Sequence, residues 1–170
     1  MSFIFNIETL EQLNTLDKIG VTKVILSCKE LSRDGRLDKR ELFSIYERCR
    51  ELGYEAHLDA DVLLLENDFS NYLEHLSSYL DLGWKSLRVT DPGLLNYLLA
   101  NTEEKITWVM DLGNHNLKAI QTWKNIIGDR LNSLVISSEI SYETLKHYTS
   151  RLNVNTEILG LGPILLFYSP

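Results

Sequence analysis

The chain has 170 residues, 44% of them hydrophobic and 24% charged, which is the profile of a globular protein with room for a real core. A formal net charge of −7 argues against a broad nucleic-acid-binding face. No run approaches the roughly 20 apolar residues of a membrane span, no basic n-region marks a secretory signal, and two widely spaced cysteines, Cys28 and Cys49, suit a reducing compartment, so a cytoplasmic location is expected.

In chain order, residues 3–7 read as a strand and 10–19 as a helix with Thr9 as its cap. A second strand, 23–27, leads into a polar loop at 31–36. Asp38, with Glu41 three residues on, has capping-box spacing and opens a helix in which Leu42, Ile45, Tyr46, Cys49 and Leu52 recur at helical intervals. Residues 55–61 are the third strand. Asp68 or Ser70 opens the helix carrying Tyr72, Leu76 and Tyr79. The fourth strand ends in Thr90-Asp91-Pro92-Gly93, a turn signal, before a short helix at 94–100. Residues 106–110 and 117–127 are the next strand and helix. Residues 134–137 and the helix opened by Ser141 follow, and 156–159 is the seventh strand.

Four aliphatic–glycine pairs (Ile19-Gly20, Leu52-Gly53, Leu82-Gly83, Ile127-Gly128) are each followed within a few residues by a short apolar run that reads as a strand. Glycine just past a helix takes the left-handed conformation that satisfies its last carbonyls. Repetition of helix, glycine and strand predicts βα units around a parallel sheet. Seven strands and six helices fall one unit short of an eightfold barrel, and no glycine-rich phosphate turn supports a doubly wound sheet. The expected fold is therefore α/β, an incomplete TIM-like barrel forming one domain over residues 1–170.

Several segments resemble the collagenase-like peptidases of family U32. Residues 80–95, LDLGWKSLRVTDPGLL, are similar to that family's "ELGVDALIVSDPGLI". Residues 116–123 look like its "N..A..FW", and 134–141 like its "VVLSRELS". Residues 157–169 fall where the family has "ELEVFVHGALCVSYSG", and Lys29-Glu30 where many members have "LG.KEFS". The resemblance covers nearly the whole chain. It implies a barrel fold and a peptidase, with some relatives tied to hydroxylation of RNA bases or quinone precursors and an iron–sulfur cluster on four cysteines. Leu161 and Leu165 replace the family's His and Cys, and Ser138 its Arg.

Acidic residues recur at predicted strand ends: Glu8, Glu30, Asp59, Asp61, Asp91, Asp111 and Glu139. In a βα barrel these ends converge on one face. Gathered carboxylates can take up a divalent metal or act as general acid and base, although most such residues cap the next helix or make turns, as Asp91 before Pro92 could. Asp59, Asp111, Glu139 and His115 are the catalytic candidates, and Lys29, Glu30, Asp91 and Asn116 the substrate-binding ones. His57, two residues before Asp59, points to the same interior. The expected substrate is a peptide, RNA or a small aromatic molecule. The alternative is a non-catalytic scaffold, a degenerate barrel whose apolar residues Ile164 to Phe167 close it or pair with a second chain.

Overall fold

The computed structural model describes residues 2–17, 20–111 and 116–161. Strands β1 (Ile4–Asn6), β2 (Lys23–Ser27), β3 (Glu55–Ala60), β4 (Ser86–Val89), β5 (Lys105–Met110), β6 (Leu131–Ile136) and β7 (Thr156–Glu157) alternate with helices α1 (Leu10–Asp17), α2 (Lys39–Leu52), α3 (Glu66–Leu80), α4 (Pro92–Asn101), α5 (Leu117–Ile127) and α6 (Tyr142–Leu152). The strands form one sheet in the order β1-β2-β3-β4-β5-β6-β7, every pairing parallel. Consecutive crossovers of one hand produce this order, and the sheet curls into the expected half-barrel. Among the described residues, no helix is long and apolar enough to cross a membrane. The C-terminal apolar segment and His115 lie outside the described residues.

Side chains of a strand alternate between faces. The register makes Leu26, Leu58, Leu87 and Ile106 neighbours in one row across β2 to β5. All four are fully buried. They form the layer under the helices, each contributing roughly 1.5–3 kcal/mol of transfer free energy as an upper bound.

Helix ends follow the expected caps with three corrections, the first at Gly128 after α5, whose φ of 61° comes with a ψ of −136°, outside the left-handed helical region. Asp38 accepts from the amides of Arg40 and Glu41, and the Glu41 side chain completes the capping box. Gly53 ends α2 in the left-handed conformation, φ 76°. The Asp-Pro-Gly sequence, however, is not a turn with a positive-φ glycine. Asp91 is the N-cap of α4 and Pro92 its first residue, where a missing N–H costs nothing. Helix α3 starts at Glu66, ahead of Asp68, from an N-cap, Leu65, that makes no side-chain cap hydrogen bond.

The loop at 28–38 is a built element rather than a loose connection. The amides of Leu31 and Ser32 both donate to the carbonyl of Cys28, at 3.2 and 3.0 Å, and Lys29 N donates to Leu37 O at 3.1 Å. A β-carbon on Gly35 would lie 1.9 Å from the Cys28 carbonyl oxygen, so the loop closes only on glycine. Replacing Gly35 by Ala should lower stability by about 1–3 kcal/mol, the usual cost of overpacking. Gly160→Ala, where the added carbon meets nothing within 4 Å, should change the thermal midpoint little. Equal midpoints for the two variants would show that the loop yields freely.

Candidate functional site

The second row of the sheet faces the concave interior, and it is polar. Register places Ser27, Asp59, Arg88, Thr107 and Ser133 side by side across β2 to β6. Complete barrels fill this space mainly with Val, Ile and Leu. Here Ser27 Oγ donates to Asp59 Oδ2 at 3.0 Å, and the Thr107 and Ser133 hydroxyls meet at 3.1 Å. Arg88 Nη1 reaches Glu157 Oε2 on β7 at 2.6 Å, and the Ser133 hydroxyl donates to the other oxygen of Glu157. Burial opposes ionisation of Glu157, yet the Arg88 guanidinium and the Ser133 hydroxyl outweigh it and hold the carboxyl below its ordinary range.

Above this row the 28–38 loop turns inward. Ser32 Oγ donates to the Asp59 carbonyl at 2.6 Å. The next residue, Arg33, uses its amide and Nε on the two oxygens of Asp61, at 3.0 and 2.7 Å. Its Nη2 lies 2.6 Å from Asp61 Oδ2 and 2.7 Å from Asp111 Oδ2. The Arg33 side chain is 11% exposed. Burial disfavours its charge, but Asp61 and Asp111 more than compensate and raise its pKa.

Asp59 behaves differently from its neighbours. Desolvation first, and repulsion from Asp61 second, push its carboxyl up to about 7 against the opposing pull of Arg88, Ser27 and Arg33. The Arg88 Nε stands 3.8 Å away, too far for a close ion pair. Below it on β3, His57 is fully buried, with Nδ1 2.8 Å from Ser86 Oγ and Nε2 3.2 Å from Glu55 Oε1. Burial lowers its pKa and Glu55 opposes that.

The structure brings two of the four catalytic candidates together. Asp111 is bonded to Arg33 at the junction with Asp61, and Asp59 lies within reach of the charges of both Arg33 and Asp61, whereas Glu139 is exposed in the β6–α6 loop beside Ser137. His115 falls outside the described residues. Of the substrate-binding candidates, Asp91 caps α4 through Leu94 N at 2.7 Å and also accepts from Leu64 N at 3.1 Å. Asn116 caps α5 through Ala119 N at 2.8 Å. Glu30 accepts from the Tyr79 hydroxyl at 2.9 Å, and Lys29 is exposed. Sequence reasoning passed over Arg33, Arg88, Glu157 and Ser133. For the last three the available signal was a polar residue at an inward strand position; for Arg33 there was none, because its role depends on how the loop folds.

Among the described residues, no group of three His, Cys, Asp or Glu side chains could hold a metal ion. A four-cysteine cluster does not fit this chain's own residues. Cys28 and Cys49 are both buried, and burial pushes both thiols up, that of Cys49 to about 11, away from the thiolate a cluster needs.

Two outcomes test the electrostatics. Arg33→Met should cost about 3 kcal/mol, because it strands two half-buried carboxylates, and adding Asp61→Asn and Asp111→Asn should recover part of that loss. A triple variant no more stable than Arg33→Met would mean that the pairing is not what Arg33 supplies. For Asp59 the folded pKa of about 7 lies above the ordinary 3.8 of the unfolded chain, so the folded state keeps a proton that the unfolded state has released. Wild-type stability should fall as pH rises from 4 to 8, with a ceiling of roughly 4 kcal/mol. Asp59→Asn should lack that slope in chemical denaturation.

The comparisons with known proteins agree with this architecture. The sequence profile of peptidase family U32 matches residues 8–170. A solved structure, "The Structure of the U32 Peptidase Mk0906", superposes with a TM-score of 0.73 at 12% identity, over 93% of this chain and 68% of that one. At that identity the likeness speaks to the fold. No curated protein matches. A family match over nearly the whole chain, on a half-barrel of the same fold, establishes that this chain belongs to peptidase family U32.

Proposed function

We propose that the strand-end face of the half-barrel binds a peptide and that Asp59 exchanges protons during hydrolysis of an amide bond. The observation that carries this reading is the setting of Asp59 at the edge of a polar trough. One hydroxyl, Ser27 Oγ at 3.0 Å, and, among the described residues, no arginine nitrogen closer than Arg88 Nε at 3.8 Å offset its burial, so desolvation pushes the carboxyl up to about 7. A general acid–base group works best when its pKa matches the ambient pH, since both forms are then available. As a carboxylate, Asp59 takes a proton from water while that water attacks the amide carbon. As the acid, it hands the proton to the departing nitrogen when the C–N bond breaks. Arg33 fixes Asp61 and Asp111 beside it and so fixes the field in which Asp59 titrates.

Family membership supports a peptide substrate, as does the description of Mk0906 as a peptidase. Charge points the same way, because a chain of net charge −7 with carboxylates at its rim attracts an RNA backbone poorly. Hydroxylation of RNA bases or of quinone precursors, also implied by the family resemblance, is the less favoured chemistry on that ground. One observation favours a non-catalytic binding module: Asp61, Asp111 and Glu157 are each bound by an arginine, as in a structural network.

Cleavage of fluorogenic collagen-derived peptides separates these readings. We expect a pH–rate profile that bends near 7 and a loss of at least about 100-fold in kcat for Asp59→Asn, the lower end of general acid–base contributions. Unchanged cleavage by that variant would remove Asp59 from the mechanism. Peptide binding without turnover in the wild type would establish the binding module instead.

A further inference from the structure

A cavity of about 280 Å³ opens between the 28–38 loop and α3, next to the Asp59–Asp61 rim. One wall is aliphatic, formed by residues 62–65, which continue directly from Asp61. Tyr72 and His75, one turn apart on α3, contribute to the lining, and Glu30 and Asp68 bring carboxylates to it. Tyr72 sits between the cavity and the rim: its hydroxyl donates to the Leu31 carbonyl at 2.8 Å, and the charges of Asp61 and Asp59 both act on it. The Tyr79 hydroxyl holds the Glu30 carboxylate at 2.9 Å. Among the described residues, no lysine or arginine lines the cavity.

Size, wall and charge together select a ligand class. The volume lies just under the roughly 300 Å³ at which pockets for whole small molecules begin, so it suits a single side chain. An aliphatic wall that runs to carboxylates matches a side chain with a long apolar stem and a cationic head. Short polar side chains would leave the wall uncovered, and acidic ones would meet Glu30 and Asp68 as like charges.

We propose that this cavity is a specificity pocket for a lysine or arginine side chain of the substrate, with its stem on residues 62–65 and its cation between Glu30 and Asp68. The proposal rests on reading the rim as a peptide-binding face. It adds which peptides are chosen, and assigns Glu30 and Asp68 to binding rather than to chemistry.

The test is an NMR titration of the full chain with N-acetyl-lysine methylamide and with its norleucine counterpart. Norleucine keeps the stem and lacks the cation. The lysine compound should shift the amide signals of residues 62–65 and bind more tightly than norleucine. The double variant Glu30→Gln, Asp68→Asn should erase that preference, a loss of about fivefold at low salt, which is the scale of exposed ion pairs. Both replaced side chains are exposed and keep a hydrogen-bonding amide, so folding should be unaffected. Equal binding of the two compounds, absence of shifts in residues 62–65, or an unchanged preference in the double variant would each overturn the pocket. Peptide cleavage is measured separately. A lysine preference without cleavage leaves the pocket standing and removes the hydrolytic reading, and cleavage indifferent to lysine does the reverse.

Discussion

The guanidinium of Arg33 joins two carboxylates whose strand ends are separated by a whole strand, and the upper face of the half-barrel is organised around that junction. Asp61 follows β3 and Asp111 follows β5, with β4 between them. Left alone in a half-buried setting, the two charges would repel each other and each would lose hydration. A planar, always-charged fork can serve both at once, which a lysine ammonium does less well. The position of Arg33 depends in turn on the Cys28 carbonyl, which gathers two amides and leaves no room for a side chain at residue 35.

The same junction explains why neighbouring carboxylates behave so differently. Asp61 and Glu157 each have an arginine within 2.6 Å. Asp59 has one hydroxyl, an arginine Nε at 3.8 Å and the charge of Asp61 against it. Identical chemistry thus meets two environments: arginines bind Asp61 and Glu157 directly, while burial raises the pKa of the Asp59 carboxyl between them. The polar interior row is what makes this possible, because a row of leucines in its place would give Asp59 neither the Ser27 hydroxyl nor the distant Arg88.

The fold was legible because its signals are local. Glycines after helices and apolar runs after glycines are set by backbone conformation and burial within one βα unit. The Asp-Pro-Gly segment reads in sequence both as a turn and as a cap at Asp91, because proline serves the first turn of a helix as well as it serves a β-turn, and only the packing of α4 decides for the cap. The site was legible in part. Carboxylates at strand ends are visible in sequence once strands are known, which found Asp59 and Asp111. Their partners were not, since Arg33 lies 78 positions from Asp111 and Arg88 lies 69 from Glu157. Nothing local distinguishes such an arginine from a solvated one.

Strand order that follows chain order also shapes how the protein is made. Every strand pairs with the next one along, and paired positions lie between 19 residues apart, at Ile4 and Lys23, and 32 apart, at Lys23 and Glu55. No pairing waits for a distant part of the sequence. Each βα unit can dock on the edge left by the previous one as it leaves the ribosome, so the sheet grows in one direction at low loop-closure cost. The ion pairs reach further along the chain than any strand pairing: Arg33 to Asp111, and Arg88 to Glu157. Glu157, on the last strand, is the final member of the polar trough along the chain, so the trough is complete only when β7 has joined the sheet.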